Sequence, residues 1–180
     1  IYMAKFSRIM IGAMCAISLT GVVSSCSDDE TWADYADWRN TNIDWLKEQV
    51  ATGEYEKVSP VWNDSLYVYM RWLNDTTLTS GNLVPYYTSE VEICYKGMFY
   101  NGVGFDSTYL LTDSVTTLIP KDVIAGWTIA LERMHVGDRA HVLIPYQAGY
   151  GETGYGIIPP YSALQFDMEL RDITALEIRP

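Results

Sequence analysis

The sequence has only two histidines and three cysteines for nucleophilic catalysis or metal binding. Its two histidines, His135 and His141, have no cysteine or carboxylate partner at the spacing of a metal site. Cys94 lies in an alternating apolar run without a histidine and aspartate pattern beside it, so we expect it to fill a core position. We therefore predict a function that needs neither a metal nor a cofactor.

The sequence also argues against nucleotide and nucleic acid binding. Gly149-x-Gly151-x-x-Gly154 matches the glycine fingerprint of dinucleotide-binding proteins, which requires a helix that begins at the glycines. Pro159 and Pro160 follow within a few residues and preclude that helix. The formal net charge of -11 makes nucleic acid an unfavourable partner.

Alternating apolar residues predict a sheet that could position side chains for binding. The predicted strands span residues 66–72, 91–100, 140–144 and 164–173. Apolar residues at 123, 124, 127, 131 and 134 follow one face of a helix of about three turns. The predicted fold class is α+β, a mostly antiparallel sheet with one short helix.

A helical extension is predicted before this sheet. Its apolar residues recur at roughly helical spacing: Trp32, Tyr35, Trp38, Ile43, Leu46 and Val50. The helix is expected to begin near Thr31-x-x-Asp34 and to end near Gly53. We expect the aromatic face to pack on its own domain. A homodimer through this helix is the open alternative.

Four motifs occur in order along the second half of the chain. They are Val91-x-Ile93-x-Tyr95-x-Gly97, Gly104-Phe105-Asp106-Ser107, Asp122-Val123-Ile124-Ala125-Gly126-Trp127, and Tyr150-Gly151 followed by Phe166-Asp167. Without this order, the aromatic residues would be interpreted as ordinary core. In this order, residues 91–173 resemble an FKBP-type peptidyl-prolyl cis/trans isomerase. The resemblance implies an antiparallel sheet wrapped around one short helix.

The resemblance implies a pocket between the helix and the sheet. By motif position, the catalytic residues would be Tyr95, Asp106, Ile124 through its backbone N–H, and Tyr150. The residues expected to bind the substrate are Phe105, Val123, Trp127, Tyr155, Ile157, Ile158 and Phe166. An alternative interpretation of Asp106 is an Asx turn after a strand.

The chain departs from the family pattern around this pocket. The strand before the helix usually carries a Phe, but residues 110–119 contain none, so Val115 or a neighbour must form that wall. Lys96 stands where many members have Thr. Tyr155 stands where His is common, beside a one-residue deletion in the loop. We expect an altered wall and an altered loop.

The implied activity is rotation about X-Pro bonds in proline-containing polypeptides. This rotation breaks amide resonance against a barrier of about 20 kcal/mol. A twisted amide is less dipolar than a planar one, so an apolar aromatic pocket favours it by desolvation. The alternative is a non-catalytic binding or chaperone module that uses the same pocket.

The N-terminus predicts a lipoprotein signal peptide. Lys5 and Arg8 precede an apolar run from Ile9 to Val23 that is too short for a membrane span. Val23-Ser24-Ser25-Cys26 then resembles a lipobox, with an ordinary signal peptide and a chance cysteine as the alternative. The predicted divisions are 1–25 for the signal peptide, 26–57 for a tether and helix, and 58–180 for the FKBP-like domain.

Lipidation of Cys26 would anchor the chain in the cell envelope. The acidic run Ser27-Asp28-Asp29-Glu30 resembles a signal that directs lipoproteins to the outer membrane, and a plain solvated tether is the alternative. We expect an outer-membrane location on either the periplasmic or the surface side. The substrates would then be envelope or exported proteins.

Overall fold

A computed structural model describes residues 33–110 and 115–176 of the chain. Its α-helices are α1 (Ala36–Ala51) and α2 (Ala125–Leu131). Its strands are β1 (Glu56–Val58), β2 (Val68–Trp72), β3 (Glu90–Phe99), β4 (Gly104–Ser107), β5 (Thr116–Leu118), β6 (Arg139–Ile144) and β7 (Leu164–Ala175). They form one seven-stranded antiparallel sheet in the order β1-β2-β6-β7-β3-β4, with β5 paired to β3. The predicted α+β fold class is confirmed.

The central strand β7 has a core face and an outer face. Its alternate residues Leu164, Phe166, Met168 and Leu170 are buried. The residues between them are partly exposed on the outer face. Residues paired across strands lie on the same face of the sheet, so Ile93 of β3, opposite Leu170, and Val142 of β6, opposite Phe166, are buried on this core face. The sheet therefore presents one apolar face to α2.

The short helix α2 packs on this apolar face. Gly126 permits the close approach, since a Cβ there would lie 2.5 Å from Cγ2 of Ile144 on β6. The helix is shorter than the predicted span of 123–134, because Val123 and Ile124 have extended backbones. At its other end the N–H of Met134 bonds the carbonyl of Leu131, so the last predicted turn is tighter than α-helical.

The sheet begins earlier than the predicted boundary at residue 58. Glu56–Val58 forms β1, which pairs with β2 at the edge of the sheet. A three-residue strand is too short to show an alternation in sequence, which is why it was not predicted. The predicted strand 66–72 corresponds to β2, in which Val68 and Met70 are buried.

The extension helix α1 packs on its own domain through aromatic and polar residues. The indole of Trp38 contacts the rings of Phe99 and Tyr100 edge-on, at centroid distances of 6.1 and 5.4 Å. The buried residues of α1 are Arg39 and Asn42, neither of which belonged to the predicted apolar face. Both polar atoms of the Asn42 side chain form hydrogen bonds. Its Oδ1 accepts from Ala163 N at 2.9 Å, and its Nδ2 donates to Trp38 O at 2.8 Å.

Each histidine pairs with one carboxylate in the folded chain, a contact that the expectation about metal-site spacing does not address. His141 Nδ1 lies 2.6 Å from Asp167 Oδ1, and His135 Nδ1 lies 3.4 Å from Asp138 Oδ2. The first pair depends on the register of β6 with β7, which spacing along the chain does not reveal. Within residues 33–110 and 115–176, no group of three potential metal ligands occurs.

Asp138 joins two segments of the chain. Its carboxylate is fully buried and accepts hydrogen bonds from Thr79 Oγ1 at 2.5 Å, from His135 N at 2.7 Å and from Asn74 Nδ2 at 3.1 Å. Burial raises the pKa of Asp138, but these hydrogen bonds lower it below its ordinary value. The carboxylate therefore ties the loop before β3 to the turn before β6.

The predicted signal peptide, Cys26 and the acidic run lie outside the described residues, as do Thr31 and Trp32 of the predicted helix. In the described part of the chain, neither helix has the length and hydrophobicity required for a membrane span.

Replacing Asp138 by Asn should destabilise the fold at neutral pH by roughly 2 kcal/mol, because charge-assisted hydrogen bonds are weakened. The folded pKa is lowered, so the carboxylate stabilises the fold above its unfolded pKa of about 3.9. That contribution is lost as the pH falls through the folded pKa. Urea unfolding should show a difference between parent and variant that shrinks below about pH 4. A difference that stays constant with pH would contradict this role.

Candidate active site

A cleft of about 470 Å³ lies between α2 and the sheet. Its lining residues are Tyr95, Phe105, Asp106, Thr116, Leu118, Asp122, Val123, Ile124, Trp127, Tyr150, Tyr155 and Phe166. These residues come from β3, β4, β5, β7, the start of α2 and the loop after β6. Every predicted site residue except Ile157 and Ile158 belongs to this lining.

The floor of the cleft depends on Gly97. Within the sheet, Gly97 of β3 is paired with Phe166 of β7 on one side and with Asp106 of β4 on the other. A Cβ at position 97 would lie 2.7 Å from Phe166 Cε1 and 2.8 Å from Phe105 Cε2. Because glycine has no Cβ, both rings can lie directly over the backbone of β3.

Four aromatic rings form the apolar interior. Trp127, the third residue of α2, meets Tyr95 at a centroid distance of 4.8 Å and Phe166 at 5.2 Å. Phe105 meets Phe166 at 5.6 Å with the ring planes perpendicular. Edge-to-face contacts of this kind stabilise aromatic pairs beyond the burial of their surface. The four rings therefore form an apolar box in which each ring packs against at least one other.

A tyrosine and an aspartate form one polar edge of this box. The Tyr95 hydroxyl donates to Asp106 Oδ2 at 2.6 Å. Burial raises the pKa of Tyr95, and the hydrogen bond and negative charge of Asp106 raise it further. Tyr95 thus holds the Asp106 carboxyl group at the mouth of the cleft. Asp106 lies within β4, so the Asx-turn interpretation is not supported.

Tyr150 lies in the loop after β6 and forms a second polar edge. Its ring stacks on Tyr155 at a centroid distance of 5.3 Å with planes 12° apart. Burial raises the pKa of Tyr150, and the charge of Asp106 and the neighbouring Tyr155 add to that effect. The hydroxyl is therefore a protonated donor at neutral pH. It makes no hydrogen bond to another residue that the structure describes.

The N–H of Ile124 is a third polar group of the cleft. Ile124 precedes α2 with an extended backbone, and its carbonyl accepts from Trp127 N at 2.9 Å. Its own N–H donates to no residue of the described part of the chain. The first N–H groups of a helix lack intrahelical partners, so this donor remains available to a ligand.

The altered wall is formed by β5. Thr116 and Leu118 line the cleft where the family pattern has an aromatic ring, whereas Val115 does not. The pairing of β5 with β3 places Thr116 opposite Ile93 and Leu118 opposite Val91. Which neighbour replaces the ring was open in the sequence, because a three-residue strand can present either set of side chains. Asp122 also lines the cleft and was not predicted as a site residue.

Ile157 and Ile158 were predicted to bind substrate, and the structure does not place them in the cleft. Tyr155 and Ile158 exchange backbone hydrogen bonds of 2.9 and 2.8 Å in a tight reversal of the chain. The reversal turns Ile157 into solvent, with 74% of its surface exposed. Ile158 instead packs into the main core.

The composition of the cleft limits the chemistry it can perform. Among the residues that the structure describes, no serine, cysteine, histidine or lysine lines it. Covalent catalysis by these nucleophiles is therefore not supported. An apolar box with neutral donors at its edge suits a ligand whose conformation changes without bond formation.

Gly97→Ala should destabilise the fold by about 2 kcal/mol, because its methyl group would overpack against Phe105 and Phe166. Gly104→Ala is the matched control on the neighbouring strand. A Cβ at position 104 would meet only the carbonyl of Gly97, at 3.8 Å. Urea unfolding should place the control within about 1 kcal/mol of the parent. Equal effects of the two substitutions would contradict close packing on Gly97.

Comparison with known proteins supports the resemblance to FKBP-type isomerases that the sequence motifs indicate. The family model described as "FKBP-type peptidyl-prolyl cis-trans isomerase" matches residues 84–171. FK506-binding protein 1 of Yarrowia lipolytica is 38% identical over 95 residues, which is 52% of this chain and 88% of that protein. The Macrophage infectivity potentiator of Trypanosoma cruzi is 45% identical over 95 residues, or 52% of this chain and 48% of that protein.

The fold is likewise similar to a solved structure. The crystal structure of FkpA from Escherichia coli has a TM-score of 0.69 at 24% identity, covering 82% of this chain and 64% of that one. The chain spans about half the length of the trypanosome relative. The match to the yeast protein, by contrast, includes nearly all of it. This chain therefore belongs to the FKBP-type peptidyl-prolyl cis-trans isomerase family.

Proposed function

We propose that the chain catalyses cis/trans isomerisation of X-Pro bonds in polypeptides. The observation that carries this proposal is the position of two donors, the Tyr150 hydroxyl and the Ile124 N–H, beside an apolar aromatic box, with no acceptor for either among the described residues. Such a box can hold a proline ring while the donors hold the carbonyl groups that flank it. Family membership supports the same activity.

Desolvation supplies the main part of the proposed catalysis. The planar amide is strongly dipolar and loses hydration on entering a box walled by Trp127 and Phe166. The twisted amide of the transition state is less dipolar and loses less. The difference lowers the barrier without any covalent step, because only interactions that favour the transition state accelerate the reaction.

The polar edge has a separate role in orienting the substrate. A protonated hydroxyl can donate to a substrate carbonyl, and the raised pKa of Tyr150 favours the protonated form at neutral pH. The Asp106 carboxyl group is held beside the box by Tyr95, at 2.6 Å, rather than inside it. Its charge therefore remains solvated and acts next to the rotating bond without adding to the cost of burial.

We also propose that the protein is a lipoprotein of the cell envelope and acts on exported polypeptides. The support is the order of basic residues, apolar run and small residues that ends at Cys26. The acidic residues from 28 to 30 would then form the tether between the lipid and α1. Dimerisation through α1 would have to leave Trp38 in its contacts with Phe99 and Tyr100 of the same chain. Sedimentation of the purified chain decides that question.

Tyr150→Phe should lower kcat/KM for a short X-Pro peptide by about tenfold, the effect of one lost hydrogen bond of roughly 1.4 kcal/mol. Asp106→Ala should also lower it, because the carboxyl group beside the rotating bond is removed. Tyr69→Phe, on the outer face of β2, is the matched control and should behave as the parent. The rate of isomerisation is measured by NMR exchange or by a coupled peptide assay.

A parent rate equal to the uncatalysed background would show that the chain is not an isomerase. If the parent then still bound proline peptides, with loss of binding in Tyr150→Phe, the alternative of a non-catalytic binding module would replace it.

Expression of the full chain in a Gram-negative host should yield a mature protein that begins at an acylated Cys26. Mass spectrometry of its N-terminal peptide should show the added acyl mass, and Cys26→Ser should move the protein from the membrane fraction to the soluble fraction. An unmodified cysteine in membrane-free parent protein would reject the lipoprotein assignment.

A further inference from the structure

A series of aromatic ring contacts connects helix α1 to the cleft. The indole of Trp38 contacts Phe99 at a centroid distance of 6.1 Å. Phe99 contacts Phe105 at 4.9 Å, and Phe105 contacts Phe166 at 5.6 Å. Phe105 and Phe166 are walls of the cleft. The rings of Phe99 and Phe105 therefore lie between Trp38 of α1 and Phe166 at the floor of the cleft.

A second connection runs through the loop that carries Tyr150. The indole Nε1 of Trp38 donates to Ser162 Oγ at 3.1 Å, and Ser162 Oγ donates to Pro159 O at 2.7 Å. Asn42 Oδ1 accepts from Ala163 N at 2.9 Å. Residues 159–163 form the end of this loop, so α1 holds that end directly.

Tyr161 shows how firmly this loop end is held. Its φ of 60° lies in the left-handed region, which a bulky residue adopts only where its surroundings impose it. The guanidinium of Arg39 on α1 lies 5.6 Å from the centre of its ring, and Tyr146 packs edge-on at 5.3 Å. The N–H of Tyr161 donates to Gly151 O at 2.9 Å, next to Tyr150. The conformation imposed at Tyr161 is thus linked to the position of Tyr150.

From these contacts we propose that Trp38 is a positioning residue for the proline cleft, and that α1 is part of the isomerase rather than a tether. The ring contacts hold Phe105 against Gly97, and the hydrogen bonds hold the loop that carries Tyr150 and Tyr155. Without them the cleft would be correctly assembled for a smaller fraction of the time, which lowers catalysis in proportion. This inference rests on the proposed isomerase activity.

The test compares Trp38→Ala with Trp38→Phe in the full chain. Phenylalanine keeps an aromatic ring at position 38, beside Phe99, but cannot donate a hydrogen bond to Ser162. We expect Trp38→Ala to lower kcat/KM by about tenfold and Trp38→Phe to recover most of that loss. Assays are run far below the melting temperature, where both variants are fully folded, so that a change of stability alone leaves the rate unchanged.

Leu46→Ala is the matched control for helix docking. Leu46 lies on α1 in a hollow between that helix and β2, which Tyr161 and Ala163 also line but Trp38, Phe99 and Phe105 do not. Leu46→Ala therefore loosens the docking of α1 and leaves the ring contacts and the indole hydrogen bond of Trp38 in place. The control should lower the melting temperature and leave kcat/KM as in the parent. Loss of activity in Leu46→Ala equal to that in Trp38→Ala would mean that general loosening, not Trp38, is responsible.

A second readout does not depend on activity. In a ¹⁵N–¹H NMR spectrum, the indole N–H signal of Trp127 reports the arrangement of the cleft rings. Trp38→Ala should shift it and Leu46→Ala should not. If the parent were inactive, the proposed function would fail while this shift would still test the positioning. An unchanged Trp127 signal together with unchanged kcat/KM in Trp38→Ala would overturn the inference.

Discussion

The absence of a side chain at Gly97 is the constraint on which the cleft depends. The sheet places Phe166, Gly97 and Asp106 in one row across three strands, so the floor and the polar edge are neighbours of the same residue. Phe105 occupies the space that a Cβ at position 97 would take. Close packing of this kind leaves little room for alternative ring positions. The depth of the cleft is therefore decided within the sheet, and α2 closes it with Trp127.

The polar groups are arranged so that the interior of the box stays apolar. The Asp106 carboxyl group is bonded to Tyr95 at the mouth of the cleft, where water still reaches it. The remaining donors, the Tyr150 hydroxyl and the Ile124 N–H, are neutral and cost less to desolvate than a charged group. Burial and the nearby carboxyl group raise the pKa values of Tyr95 and Tyr150, which keeps both hydroxyls protonated. The low polarity of the box would thus favour a twisted amide and also keeps the tyrosine hydroxyls protonated as hydrogen-bond donors.

The extension helix shows that polar residues can define how an element docks. An apolar face alone would permit helix α1 to slide or rotate. The buried Asn42 favours one position, because its side-chain oxygen and nitrogen both form hydrogen bonds there. Trp38 adds a hydrogen bond to Ser162 at the point where the loop of Tyr150 returns to β7. The extension is therefore joined to the same loop and rings that line the cleft, although its residues lie outside the segment that matches the family model.

The sequence by itself determined the fold class, the family and most of the cleft, because alternation specifies the faces of long strands and because ordered motifs place Trp127 and Phe166 at known positions. Only the tertiary structure decided the wall at Thr116, whose strand is too short to reveal its register. It also decided that Ile158 packs in the core, since a hydrogen-bonded reversal with Tyr155 sets its direction. The burial of Asn42 depends on a partner 121 residues away. Contacts of that separation arise from three-dimensional packing and leave no periodic signal in a single sequence.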